Sequence, residues 1–211
     1  MKLYNYFRSS ASFRVRIALE LKGLGYDYVP VHLVKGEHRQ AAYSALAPEM
    51  LVPHLELDGH NLAQSMAIIE YLDETPPEPP LLPRDAVGRA QVRALAQSIA
   101  CEIHPLNNLR VLKAIRSEFN ADQAAVDAWA AGWIAPGFDA LEALVGRHGA
   151  GWSFGDAPTL VDCYLIPQMY SARRFNIDLS PWPRLLAVEQ IALAHPAFAS
   201  AHPDLQPDAD A

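Results

Sequence analysis

Lys2-Leu-Tyr-Asn-Tyr-Phe7, then Arg8-Ser9-Ser10-Ala11-Ser12, then Phe13-Arg-Val-Arg-Ile-Ala-Leu-Glu-Leu21 together decide the fold. The first piece is strand-like over Leu3–Phe7. The last predicts an amphipathic helix over Phe13–Lys22, ended by Gly23. Between them, three serines occupy four positions at the helix start. Serine hydroxyls there can cap the orphan backbone N–H groups, and the positive end of the helix dipole favours an anion, a thiolate included. A redox protein of this layout would carry Cys-x-x-Cys in the turn. This chain carries hydroxyls, so the turn is suited to hold a thiolate supplied by another molecule.

Working outward, Tyr26–Val34 is β-branched and aromatic and predicts a second strand. Val52–Leu57 alternates with period two, and Asp58-Gly59 predicts a hairpin turn into Asn61–Ala63. Ser65–Asp73 reads as a helix with Ser65 as its cap. The order is therefore β-α-β, an irregular segment, then β-β-α. Thr75-Pro-Pro-Glu-Pro-Pro-Leu-Leu-Pro83 holds five prolines in nine residues, a density that neither helix nor strand survives. Residues 75–85 are thus a linker, with a first domain over 1–80 and an all-helical one over 86–211. In the latter, Asp85–Ser117, Ala121–His148, Thr159–Arg174 and Pro183–Ala194 are the periodic stretches. Thr159-Leu-Val-Asp162 reads as a capping box with Asp in place of the usual Glu. The Pro- and Asp-rich tail from His195 should wrap the surface or fray. The fold class is α/β plus all-α.

Composition is that of a soluble globular protein, 51% apolar and 19% charged. Seventeen basic against 24 acidic residues give a net charge of −7, and no large Lys/Arg cluster appears, which argues against nucleic acid or an anionic membrane as partner. No signal-peptide pattern or membrane-spanning apolar run is present. Cys101 and Cys163 stand far apart without metal-ligand spacing, and no other cluster has such spacing, so no metal site is expected. Both cysteines fall in predicted helices among apolar neighbours and should be inert. The expectation is a cytoplasmic protein. Trp129, Trp133 and Trp182 read as core or helix-packing residues.

Ser9-Ser10-Ala11-Ser12-Phe13-Arg14-Val15-Arg16 resembles the Ser-Ser-Cys-Ser-x-Arg-Val-Arg signature of the zeta class of cytosolic glutathione transferases. Gln64-Ser65-x-Ala-Ile-Ile-Glu-Tyr-Leu72 is similar to that class's γ-glutamyl-binding segment. Ile103-His-Pro-Leu-Asn-Asn-Leu-Arg-Val-Leu112 and Val161-Asp-x-x-x-x-Pro-Gln168 match its helical-domain landmarks, and the resemblance runs on through His195-Pro196 and Gln206-Pro207-Asp208. Each motif alone is weak, but four in order at matching spacing are strong. The resemblance implies a thioredoxin-like N-terminal domain, a helical-bundle C-terminal domain and a homodimer. It also implies a glutathione-dependent cis–trans isomerase of maleyl-type diketo acids, maleylpyruvate or maleylacetoacetate. Two departures matter: the family's cysteine is Ala11 here, and a usually small polar position is Arg110.

Isomerising a cis enedione requires temporary loss of the double bond, and reversible thiolate addition provides it. A free thiol has a pKa of about 8.5, lowered at a helix N-terminus, so glutathione bound at Ser9–Ser12 would be ionised and act as a cofactor. Ser9 and Ser10 are the candidate donors to its sulfur; locally they read equally well as caps. The resemblance favours Ser9, and puts Ala11 in the glutathione site with them. Val52-Pro53 resembles the cis-proline turn of thioredoxin-like folds, where Val52's backbone would pair with the cysteinyl backbone. Gln64 and Ser65 suit the γ-glutamyl carboxylate at a helix N-terminus. His38 aligns with a family residue that reaches the peptide. His104 and Asn108, read as sharing one helix face, match family contacts to glutathione from the partner subunit.

The second substrate carries two carboxylates while the chain is acidic, so binding needs a local cationic focus. Arg8, Arg110 and Arg174 are the candidates. Arg8 precedes the serine turn and counts also as catalytic, since a guanidinium can stabilise the enolate formed on thiol addition. Arg174 closes Ser171-Ala-Arg-Arg174 after the third helical stretch. Arg110 lies on a helix that Pro105 should kink. Guanidinium groups grip carboxylates bidentately, which lysine cannot do. A conjugating transferase of the same fold is the alternative, but its electrophile would want an apolar second site. A non-catalytic module of this shape would need neither the serine turn nor Gln64-Ser65. The added Arg110 favours maleylpyruvate, the shorter acid, over maleylacetoacetate.

Overall fold

The computed structural model describes residues 1–76 and 78–209. By internal contacts these fall into two units, one built from residues 1–80 plus the C-terminal segment from Ala194, the other spanning Leu81–Leu193.

In the first unit β1 (Lys2–Asn5), α1 (Ser10–Leu21) and β2 (Asp27–Pro30) are followed by the short α2 (Ala41–Leu46), the hairpin β3 (His54–Leu57) and β4 (His60–Ala63), and α3 (Ser65–Glu74). The sheet order is β2-β1-β3-β4, with β1 parallel to β2 and antiparallel to β3. Asp58 and Gly59 both take positive φ, 50° and 79°, as a two-residue hairpin turn demands. Strand alternation sends Leu3 and Leu55, register partners, into the same wholly buried layer. Phe13, Ile17 and Leu19 of α1 and Ile68, Ile69 and Leu72 of α3 complete that core. Each such side chain contributes about 1.5–3 kcal/mol when removed from water. β2 is shorter than the predicted Tyr26–Val34: Pro30 has no N–H to continue the ladder, and the chain turns, Glu37 N–H bonding back to His32 C=O at 3.2 Å.

The core of this unit holds charge as well as carbon. Lys22 pairs with Asp73 at 2.8 Å, the lysine side chain wholly buried, and ties the end of α1 to α3. Arg14 and Arg16, on a helix read as amphipathic, are both buried. Arg16 donates to Asn5 Oδ1 and the Phe7 carbonyl at 3.0 Å each and to the Ala201 carbonyl at 3.1 Å. Over residues 194–209 the chain neither frays nor belongs with the helical unit: α9 (Pro196–Ser200) packs on α1.

The second unit contains α4 (Ala86–Gln97), α5 (Leu109–Phe119), α6 (Gln123–His148), α7 (Leu160–Arg174) and α8 (Pro183–Ala194), the last running one residue past its boundary. The predicted Asp85–Ser117 helix is broken rather than kinked. α4 widens into a π turn over Ser98–Ile103, tightens to a 3₁₀ turn over His104–Asn107, and the chain restarts as α5. Pro105 cannot continue an α-helix, and Asn108 caps the new one, its side chain accepting the Val111 N–H at 3.2 Å. Gly137 of α6 lets the π turn approach closely; a Cβ there would meet Ile103 Cδ1 at 2.3 Å. The Thr159 capping box forms as read. Burial pushes the Asp162 carboxyl up, while hydrogen bonds from Ser153 and Thr159 pull the other way. Trp182 is core, stacked edge-on against Phe138 at 5.1 Å. Trp129 and Trp133 are not: both are exposed, and Trp129 Nε1 donates to the Leu106 carbonyl at 2.7 Å. No helix among the described residues is long and apolar enough to cross a membrane.

Candidate active site

The serine turn follows β1 directly. Ser9 has extended backbone (φ −68°, ψ 115°) and is the N-cap of α1, its hydroxyl oxygen accepting the Ser12 N–H at 3.2 Å. Its own N–H donates to the Tyr6 carbonyl at 3.0 Å. Of the four orphan amides of a helix start, those of Ser9 and Ser12 are thus satisfied, and those of Ser10 and Ala11 have no acceptor within the helix. A hydroxyl has one proton to give and two lone pairs, so capping leaves the Ser9 proton available. Cap and donor are compatible roles.

Arg8 is half-buried. Its guanidinium lies 5.2 Å from the Phe7 ring centre and donates from Nη2 to the Tyr6 hydroxyl at 3.1 Å. Its buried Nε has no partner among the described residues. Val52-Pro53 is cis, and Val52 shares a buried cluster with Tyr6 and Tyr43. His38 is buried in a single 3₁₀ turn, Glu37–Arg39.

At α3 the sequence reading shifts by one residue. Ser65 is the first helical residue, and the position before it is Gln64, at φ 69° and without a side-chain cap bond. Positive φ in a non-glycine residue costs roughly 1–3 kcal/mol and collects at ligand sites. The Gln64 side chain is exposed, while Ser65 is buried and its hydroxyl accepts from Arg14 Nη1 at 3.3 Å. Arg14 is a residue the sequence reading missed: on an amphipathic pattern it falls in with the solvent-facing charges. The signal available was its place inside the quoted signature.

The second unit carries the other candidates. His104 begins the 3₁₀ turn and Asn108 caps α5, so the two do not share a helix face. Arg110 is exposed on the first turn of α5, with no ion pair among the described residues and no acidic residue in that turn. A cation there opposes the helix dipole. Arg173 and Arg174 are both exposed at the end of α7, and Arg173 is engaged by both oxygens of Glu189. Cys163 is buried as expected, but Cys101, in the π turn, is exposed. Its neighbours Ile99 and Ile103 are buried, and Cys101, midway between them, falls on the opposite side of the turn. Neither cysteine belongs to the serine turn. No group of three or more His, Cys, Asp or Glu suited to a metal ion occurs among the described residues.

The arrangement offers a helix start at α1 with two amides lacking helical acceptors and a hydroxyl donor, and a second helix start at α3 preceded by strained backbone at Gln64, which fits a tripeptide thiol carrying carboxylates. Residues 1–74 match the family model described as glutathione S-transferase, N-terminal domain. Over 211 residues the chain is 53% identical to a maleylpyruvate isomerase of a Ralstonia species, covering 99% of each chain. It superposes with a TM-score of 0.97 on the holo structure of a maleylpyruvate isomerase, a bacterial zeta-class glutathione S-transferase, at 53% identity and 99% coverage of both chains. A maleylacetoacetate isomerase from Anaeromyxobacter dehalogenans with bound dicarboxyethyl glutathione and citrate matches with a TM-score of 0.89 and 47% identity, covering 100% of this chain and 97% of that one. With identity of this level from end to end, the chain belongs to the zeta class of the glutathione transferase family.

Proposed function

We propose that this chain is a glutathione-dependent cis–trans isomerase converting maleylpyruvate to fumarylpyruvate. The observation that carries the reading is the start of α1: a hydroxyl cap with a spare proton, two amides without helical acceptors, and no protein thiol in the turn. Bound glutathione supplies the thiolate that adds to the alkene, allows rotation about the resulting single bond and leaves.

The protein's residues do the rest. The Ser9 hydroxyl donates toward the sulfur, and the Ser10 and Ala11 amides with the α1 dipole favour its ionised form. Ser10's hydroxyl is a second donor within the turn. Gln64 and Ser65, at the α3 N-terminus, hold the γ-glutamyl carboxylate, with Arg14 orienting the Ser65 hydroxyl. The Val52 backbone beside Pro53 pairs with the cysteinyl unit, and His38, His104 and Asn108 add contacts to the tripeptide. Arg8, Arg110 and Arg174 receive the carboxylates of the maleyl acid, Arg8 with the further task of stabilising enolate charge. Arg110 supports this most directly: its position gains nothing for helix stability, so an anionic ligand is its natural counterpart.

The protein works as a cytoplasmic homodimer in this reading. The deciding experiment compares kcat/KM for maleylpyruvate and maleylacetoacetate with and without glutathione. Turnover should require glutathione and favour maleylpyruvate. A reversed preference would assign the chain to maleylacetoacetate, and glutathione-independent turnover would sink the mechanism. The two acids differ by one methylene, worth only about 1–3 kcal/mol of discrimination, so both should react to some extent.

A further inference from the structure

β1 ends at Asn5 and α1 begins at Ser10, so residues 6–9 depend on bonds from elsewhere for their position. Ser9 N–H reaches the Tyr6 carbonyl at 3.0 Å, and Tyr6 N–H reaches Ser12 Oγ only at a long 3.5 Å. The strong contacts fall on Phe7. Its N–H donates to Asp208 Oδ2 at 3.1 Å, and its carbonyl accepts from Arg16 Nη2 at 3.0 Å. A carboxylate and a guanidinium, both buried, therefore grip opposite ends of one residue immediately before Arg8-Ser9. Charge-assisted hydrogen bonds of this kind are roughly twice as strong as neutral ones.

The grip is itself anchored. The other oxygen of Asp208 accepts from the Tyr28 hydroxyl of β2. Burial, then that hydrogen bond, pushes the Tyr28 phenol far above its ordinary range, so it remains a donor at any physiological pH. Arg16 is tied to Asn5 in β1 and to the Ala201 carbonyl in the C-terminal segment. The Phe7 ring in turn carries the Arg8 guanidinium at 5.2 Å.

We propose that Asp208, acting with Arg16 through the Phe7 backbone, is a positioning residue for isomerisation: it sets where the Ser9 hydroxyl and Arg8 guanidinium stand. The C-terminal segment is then part of the thiolate-holding apparatus. This rests on the functional reading above.

The test uses the intact protein and three readouts: the ultraviolet titration of bound glutathione thiolate, kcat and KM for the maleyl acid, and thermal unfolding. Asp208→Ala should raise the thiol titration by about one unit and lower kcat about tenfold near neutrality, one unit being a tenfold change in ionisation. KM for the acid should stay within about twofold, because no substrate contact is removed. Asp208→Asn keeps an oxygen for Phe7 N–H and turns its amide toward Tyr28, so it should recover most of both losses. Tyr28→Phe leaves the Asp208–Phe7 bond in place but removes its anchor, and should shift the titration upward by less than Asp208→Ala does. If Asp208→Ala does not fold, Asp208→Glu, which displaces the carboxylate by one methylene, must show the upward shift. A wild-type protein with no bound-thiolate titration would overturn the functional reading and this assignment with it. A normal wild-type titration left unmoved by the Asp208 substitutions, with only the unfolding temperature falling, would overturn the assignment alone.

Discussion

The start of α1 and the start of α5 are built on the same local plan. Ser9 caps the Ser12 amide at 3.2 Å and Asn108 caps the Val111 amide at 3.2 Å. Beyond the caps the two helices diverge. After Ser9 come two small residues and a stretch that is buried without interruption from Ser12 to Leu19. After Asn108 come Leu109 and an exposed arginine, on a helix in which only Leu112 is buried. The first start presents backbone amides and a dipole, fixed by the core beneath. The second presents one long charged side chain on a lightly anchored helix. A thiolate generated afresh in each catalytic cycle suits fixed partial charges that need no reorganisation. A diffusing dicarboxylate suits a guanidinium that can reach for it. The two starts should therefore respond differently to substitution: Ser9 should link activity to stability, and Arg110 should separate them.

The largest effect is expected at Ser9. Ser9→Ala removes the cap and the sulfur donor together. Loss of the cap should cost about 0.5–2 kcal/mol of stability, seen as a lower unfolding temperature. Loss of the donor should lower kcat by roughly 10²–10³-fold, by analogy with removing one preorganised donor from a developing anion. The bound thiol should titrate higher, so the acid limb of the rate profile moves up and activity partly returns as pH rises. Ser10→Ala should cost little stability, because Ser10 caps nothing, and less rate than Ser9→Ala, because its hydroxyl is the second donor. Equal losses in the two variants, or an unchanged titration for Ser9→Ala, would reduce Ser9 to a cap and end the comparison.

Arg110→Ala should sharpen it. The substitution removes a cation from a helix N-terminus, where it is unfavourable by about 0.3–1 kcal/mol, so the protein should unfold at the same temperature or slightly higher. Meanwhile kcat/KM for the maleyl acid should drop more than about tenfold, in line with the roughly 2–5 kcal/mol lost when a hydrogen-bonded charge pair is broken in a closed cleft. Glutathione affinity should hold. Arg110→Lys restores charge without the bidentate geometry and should recover only part of the rate. Parallel loss of glutathione binding in both variants would reassign Arg110 to the cofactor. Full activity in both would make it a plain surface residue.

How much of this was visible in the residues depends on the range of the forces involved. The β1–turn–α1 unit, the Asp58-Gly59 hairpin and the Thr159 capping box are local, and their chemistry is written within a few adjacent positions. The break between Ser98 and Asn108 is not, since a π turn keeps the apolar residues Ile99 and Ile103 buried and so leaves the hydrophobic period nearly unchanged. Only Pro105 marked it, and a proline alone does not say whether a helix bends or stops. The burial of Arg14 and Arg16 did not follow from the amphipathic reading of their helix, because their partners, Ser65, Asn5, Phe7 and Ala201, are scattered along the chain. The contact of Asp208 with Phe7 spans 201 positions, beyond the reach of any pattern in the sequence. At Gln64 the cap reading failed by one residue: Ser65 has the right chemistry for a cap, but strained backbone, not a hydroxyl, precedes α3.

The smallest effect on rate is expected from the cysteines, and it bears on whether the thiolate at the first helix start comes from outside the chain. The two thiols sit in contrasting settings, Cys163 wholly buried in α7 and Cys101 exposed in the π turn. Cys163→Ala opens a small void in a packed helix and should lower stability by about 1 kcal/mol, a typical cost for a core truncation of this size. Cys101→Ala should cost almost nothing, as exposed substitutions rarely exceed about 0.5 kcal/mol. The double variant should still need glutathione and retain kcat within about threefold, a loss transmitted only through packing. Turnover that collapses in a folded double variant would place a protein thiol in the chemistry. The single variants would then show which one. Since the thiolate form reacts and access matters, collapse confined to Cys101→Ala would make the π turn, rather than the serine turn, the source of the nucleophile.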